Sequence, residues 1–158
     1  MRIGRDADAG AADVGDDRAM KSVTQNLQLA DVRVGDAMHV GVLTCDRDQP
    51  LSEVARTMAE QSVHCIVVES DNGNRGPAWG VVSDLDLVAA ATVRDLDEQT
   101  AAGSAASPVL LVTPDETLER AAQLMTEHGT SHLLVVDGPG LEPIGVLSTL
   151  DIAASLVG

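Results

Sequence analysis

Phenylalanine and tyrosine are absent from this chain of 158 residues, and Trp79 is its only aromatic side chain. A surface that stacks unpaired bases draws on aromatic platforms, so their lack counts against a single-strand nucleic-acid binder. The core must instead come from Val, Leu, Ile, Ala and Met, within a hydrophobic share of 44%. Cations are scarce as well. Ten Lys and Arg against 25 Asp and Glu leave a net charge of −15, and Lys21 is the only lysine. A field of that sign repels phosphate backbones and anionic lipid surfaces, so neither nucleic acid nor membrane is expected as a partner. Of the two cysteines, Cys45 ends the run GVLTC and Cys65 sits in HCIVV. Apolar settings of this kind suit buried free thiols in a reducing compartment. No run approaches the roughly 18 apolar residues of a membrane span. The opening MRIGRDADAGAADVGDD lacks the apolar stretch of a secretory signal. A soluble, cytoplasmic protein is expected, either one ordinary domain or two small units sharing a core.

Residues 1–28 are polar, rich in Asp, Ala and Gly, and without periodicity; a disordered acidic tail is expected there. Val40, Val42 and Leu43 then suit a short strand, and DRDQP a turn. In PLSEVARTMAEQ, the spacing of Leu51, Val54, Ala55 and Met58 predicts a helix with one apolar face. HCIVVES predicts a buried strand, AWGVV a second, and SDLDLVAAATV a helix from Ser83. The order then recurs. VLLV predicts a strand, and TLERAAQLMTEH a helix with Leu118, Ala121, Ala122 and Met125 on one face. HLLVVD and IGVL predict strands, and STLDIAASLV a closing helix. Met58 and Met125 belong to the core.

The recurrence keeps register. Leu118 and Met125 each follow their counterparts, Leu51 and Met58, by 67 residues; Gly145, Ser148 and Asp151 follow Gly80, Ser83 and Asp86 by 65. A residue missing near Ser62 and a hairpin turn shortened by three in the second half are expected to absorb the difference. Two like halves, each too small to hide its sheet face alone, are expected to pack against each other. The expected fold is α+β: two β-α-β-β-α repeats as a pseudo-two-fold pair, residues 29–94 and 109–158, joined by a linker at 95–108.

Both halves write Ser-x-x-Asp at a strand-to-helix junction. As structure, this is a helix cap: the serine accepts from the N–H two or three residues on, and the acid reaches back to the cap N–H. As a site, the same helix start offers free N–H groups and a hydroxyl to an anion, and its carboxylate can accept both hydroxyls of a ribose. The two uses are not exclusive. Other candidates are weaker. His128 and His132 have metal-ligand spacing, but Gly129 breaks the helix between them and no acid or thiol completes a set, so no metal is expected. Neither serine lies in a nucleophile elbow, so no catalytic residue and no enzyme activity are expected.

TCDRDQPLSEVARTM with VTPDETLERAAQLM, HCIVVES with SHLLVVD, and GVVSDLD with GVLSTLD together resemble a tandem pair of CBS domains, a Bateman module, over residues 31–158. The resemblance implies paired repeats that dimerise, and a regulatory role as a stand-alone module signalling to an effector protein or across its dimer interface. It implies an adenosine ligand (AMP, ADP, ATP or S-adenosylmethionine) and no obligatory cofactor. It implies one cleft built from Ser148 and Asp151 with Thr44, Ser62, Val63 and His64, the Thr and the backbone of 62–64 coming from the other repeat. The second cleft would hold Ser83 and Asp86 with Leu111, Thr130, Ser131 and His132. Two departures from the family pattern stand out: Ile66 and Leu134 replace a frequent proline, and Leu111 replaces the threonine matched by Thr44. Asp84 also sets a carboxylate beside Ser83 where Thr149 is neutral, so the second cleft is expected to hold phosphate more weakly. Few cations lie near the motifs; Arg33, Arg47 and Arg75 are the candidates. AMP, adenosine or cationic S-adenosylmethionine is therefore expected over ATP. A ligand-free scaffold or oligomerisation module, with both motifs acting only as caps, is the alternative.

Overall fold

The computed structural model describes residues 18–21, 28–71 and 78–157. Most of the expected tail lies outside them, as does Arg75; residues 18–21 within the tail are helical. The first half contains β2 (Thr44–Cys45), α2 (Leu51–Gln61), β3 (Cys65–Val68), β4 (Gly80–Ser83) and α3 (Asp84–Ala91). The second contains β5 (Leu111–Val112), α5 (Leu118–His128), β6 (His132–Asp137), β7 (Glu142–Ser148) and α6 (Thr149–Ser155). Before them come α1 (Val34–Ala37) and β1 (His39–Val40), and between them a 3₁₀ turn (Leu96–Glu98) and α4 (Ala101–Ser104). The fold is α+β, with the β-α-β-β-α order present twice.

Side chains of a strand alternate between faces, and that alternation builds three cores. Ile66 and Val68 of β3 pack with Leu51, Val54 and Met58 of α2. Leu133 and Val135 of β6 pack with Leu118, Ala121 and Met125 of α5. The intervening residues, Val67 on one side and Leu134 and Val136 on the other, meet in a third cluster with Val81, where the two sheets face each other. The molecule is thus layered helix, sheet, sheet, helix, with a seam of apolar side chains between the sheets.

The stretch read as one strand at 40–43 is instead split. Gly41, at φ 93°, breaks it. Upstream, β1 pairs antiparallel with β7 of the second half; downstream, β2 pairs parallel with β3 of the first. The sheet orders are β1-β7-β6-β5 and β2-β3-β4. Val34 is fully buried among Val112, Leu118 and Leu147, so residues 34–40, placed with the first repeat by sequence, pack on the second. The reciprocal arrangement holds at 95–108, read as a linker. There Ala101 is buried against α2 and β3, and Ala106 exchanges two backbone hydrogen bonds with Val81 of β4. Each half therefore carries an entry arm that completes the other half. The reason is local: Gly145 and Gly80, on the receiving strands, have no Cβ, and the carbonyls of His39 and Ala106 close on them.

Strand pairing also corrects the repeat register. Cys65 lies opposite Ser83, and His132 opposite Ser148. Cys65 and His132 are thus counterparts, still 67 residues apart, and no residue is missing near Ser62. The whole difference falls in the hairpin turn, two residues shorter in the second half rather than three. Ser62 and Gly129 are matching helix C-caps, both left-handed, at φ 54° and 63°.

Candidate functional site

Each half ends its last strand on a serine and starts a helix one residue later. At Ser148, the hydroxyl accepts from Asp151 N–H (3.2 Å) and donates to Asp151 Oδ2 (2.8 Å), and Ser148 N–H also donates to Oδ2 (2.8 Å). At Ser83 the same three bonds join it to Asp86, at 3.3, 2.9 and 2.8 Å. Both are complete capping boxes. The bonds fall on one carboxylate oxygen in each case, so Oδ2 is filled and Oδ1 is left for another partner. Asp151 is only 9% exposed, a depth at which an ionised group needs its partners.

Asp151 Oδ1 has such a partner, and sequence reasoning missed it. His39 Nδ1 lies 3.1 Å away, on an imidazole that is 78% exposed. No pattern in the chain singles out His39; the signal is structural, since its segment crosses to the second half. At the matching place in the first half stands Ala106, identified by its carbonyl over Gly80 as His39's is over Gly145. Among the described residues, none hydrogen-bonds to Asp86 Oδ1.

The two helix starts share one electrostatic neighbourhood at the seam. Burial first, and then the carboxylates of Asp84 and Asp151, together push the Cys65 thiol up to about 11. Burial pulls the His132 imidazole below its ordinary value; Asp84, Asp151 and Asp86 oppose this, and His64 adds to it. Slight burial raises the Asp84 carboxyl, but bonds from the His64 ring and Leu85 N–H outweigh it and hold the group below the usual carboxylate range. One half's acid thus acts on groups that both halves supply.

The remaining expected residues fall as follows. His64, 72% exposed, bonds Asp84 of its own repeat (3.1 Å), and its carbonyl accepts Asp84 N–H (2.9 Å). Ser131 repeats the second contact with Thr149 N–H at 3.0 Å, and its hydroxyl lies 3.0 Å from His132 Nδ1. Thr130 bonds the His132 carbonyl at 3.2 Å. Thr44 turns its hydroxyl to Glu69 (2.7 Å). Leu111 sits half-buried on the seam. Ser62, Val63 and His64 line a mostly apolar groove of about 450 Å³ between α2 and α3, with Met58, Asp84 and Val88. Of the arginines, Arg47 lies 3.9 Å over the Trp79 ring and pairs with Asp71, and Arg33 bonds the Asp115 carbonyl at 3.2 Å. Cys45 is buried and free, and burial with Asp46 and Glu69 nearby pushes its thiol up to about 11. Among the described residues no cluster of His, Cys, Asp and Glu could hold a metal ion, and no helix is long and apolar enough to cross a membrane.

The family model for the CBS domain matches residues 34–92 and 102–158. The chain is 30% identical to the CBS domain-containing protein YhcV of Bacillus subtilis over 123 residues, covering 77% of this chain and 84% of that one. Among solved structures it is similar to a hexameric CBS-CP12 protein from bloom-forming cyanobacteria, with TM-score 0.70 and 22% identity, covering 77% of this chain and 69% of that one. It is also similar to the CBS domain pair of protein MJ0100, solved in complex with 5'-methylthioadenosine and S-adenosyl-L-methionine. There the TM-score is 0.67 and the identity 18%, covering 78% of this chain and 94% of that one.

Proposed function

The chain belongs to the CBS-domain family, carrying that domain twice, and from this premise we propose that it is a regulatory module that binds an adenosine compound. Occupancy of its helix starts would pass to a partner protein, or to a second copy, through the packing of the two halves. One observation carries the reading. Two carboxylates 65 residues apart, Asp86 and Asp151, are each locked by a serine through Oδ2, so a ligand meets Oδ1, which on Asp151 is shared with His39. A fixed, ionised acceptor makes strong charge-assisted bonds to ribose hydroxyls and loses no rotamer freedom on binding. The apolar groove beside His64 suits a purine face. The bound state of the MJ0100 pair supports the ligand class.

Ser148 and Asp151, with Thr44, Ser62, Val63 and His64, remain our principal cleft. Ser83 and Asp86, with Leu111, Thr130, Ser131 and His132, form the second. Asp84 beside Ser83 sets a like charge against any phosphate there, whereas Thr149 does not. The commitments of Arg33 and Arg47 favour AMP, adenosine or S-adenosylmethionine over ATP. Calorimetry and thermal shift with these ligands test the proposal. A ligand at about 100 times its Kd adds roughly 2.7 kcal/mol of stability, hence about 5–11 °C in Tm for a chain of this size. In an Asp86→Asn background, Asp151→Asn abolishes the gain that remains. The absence of any shift across the whole series refutes the reading.

A second reading has its own observation. Leu85, Val88 and Leu150 are 72%, 63% and 70% exposed on α3 and α6, and Leu85 and Leu150 are counterparts. Self-association through these faces without any adenosine ligand would make the chain a scaffold, in line with the hexameric neighbour. Light scattering on wild type and Leu85→Glu, run beside the thermal shifts, separates the two.

A further inference from the structure

We propose that His39 is a specificity-determining residue: it holds one of the hydrogen-bonding positions of Asp151, so that this carboxylate takes a single ligand hydroxyl where Asp86 takes a vicinal pair. The inference rests on the adenosine-binding reading above and names what distinguishes the two clefts. A carboxylate has two oxygens and about four lone-pair positions. On Asp151, Oδ2 is filled by the N–H and hydroxyl of Ser148, both at 2.8 Å. Oδ1 already faces His39 Nδ1 at 3.1 Å, which leaves one position. On Asp86, Oδ2 is filled in the same way by Ser83, but Ala106 replaces the imidazole and, among the described residues, neither position on Oδ1 is taken.

The imidazole is well placed for this role. Its backbone is pinned, since β1 pairs with β7 at His39↔Val146 and the His39 carbonyl rests on Gly145. Its ring is solvent-facing at 78% exposure, so it restricts the carboxylate without contributing to the core. A cis-diol arriving at Asp151 can give one hydroxyl and must leave the other to water or displace the ring. A ligand with a single hydroxyl there loses nothing by comparison. The Asp151 cleft is therefore indifferent to the second ribose hydroxyl, and the Asp86 cleft reads it.

Calorimetry with adenosine and 2'-deoxyadenosine tests this in an Asp86→Asn background, where only the Asp151 cleft reports. With His39 present, the two nucleosides bind within about twofold of each other. His39→Ala opens the second position, and adenosine then binds about tenfold tighter than its deoxy analogue, the value of one hydrogen bond to a charged acceptor. His39→Asn, whose amide nitrogen stands where Nδ1 stood, restores the near-equal ratio, which a merely structural role for residue 39 would not do. Binding that appears only in His39→Ala also supports the proposal. A ratio unchanged across His39, Ala and Asn, with binding intact, overturns it alone. Binding of neither nucleoside to any variant or to the wild type overturns the adenosine reading and this inference with it.

Discussion

Alanine at Gly145 tests the exchange of arms directly. A Cβ built there falls well inside 3.0 Å of the His39 carbonyl oxygen and 3.2 Å from Met38 Sδ. The sulfur lies near the end of a flexible chain and can give; the carbonyl is backbone paired in the sheet and cannot move alone. Relief requires β1 to lift from β7, straining the pairs His39↔Val146 and Val40↔Gly145. Overpacking of this kind costs about 1–3 kcal/mol, and each ladder hydrogen bond lost adds about 0.5–1.5 kcal/mol. Replacing glycine stiffens the unfolded chain and returns about 0.4–1 kcal/mol. The net is a loss of about 2–3 kcal/mol, or roughly 4–12 °C in Tm. Gly80→Ala should cost about as much, since its Cβ would close on the Ala106 carbonyl and come within 3.1 Å of Ala105 Cβ. Gly140→Ala is the control, with Glu142 Cγ at 3.9 Å as its nearest neighbour. Thermal melts followed by circular dichroism decide the matter. If Gly145→Ala melts within about 1 °C of wild type while Gly140→Ala does the same, the close approach of arm and strand is wrong.

Three further outcomes are expected. Ser148→Ala removes the acceptor for Asp151 N–H and one donor to its carboxylate, and should lower stability by about 1 kcal/mol in urea titrations. Thiols pushed to about 11 hold thiolate at a level on the order of one part in a thousand at pH 8, so Cys45 and Cys65 should react far more slowly with a disulfide reagent in the folded protein than in urea. Because the folded state depresses His132, unfolding takes up a proton; the stability tied to this group is complete above the ordinary imidazole value of 6.5 and declines as the pH falls below it. His132→Gln should flatten that decline in melting profiles taken between pH 7 and 5.

Much of the fold was legible because its signals are local. The helices α2 and α5 announce themselves by apolar spacing, and both Ser-x-x-Asp stretches form the caps their spacing requires. The exchange of arms was not legible. Residues 34–40 precede the first repeat in the chain, and only pairing with a strand some hundred positions later shows where they belong. The register slipped for a related reason: histidines at 64 and 132 invite alignment with each other, yet strand pairing matches Cys65 to His132. In the candidate site, sequence found the two carboxylates but not the ring that covers one of them. His39 reaches Asp151 only because its arm crosses over.

The crossing arms make each repeat an incomplete object. A polypeptide ending at Arg94 would lack the piece that covers Gly80, and one starting at Asp95 would lack the piece that covers Gly145. Neither fragment holds its own missing edge, and each holds the other's. Made separately, the two should reconstitute a native particle only when mixed, so the unit that inheritance can copy or transplant is the interlocked couple rather than the single motif.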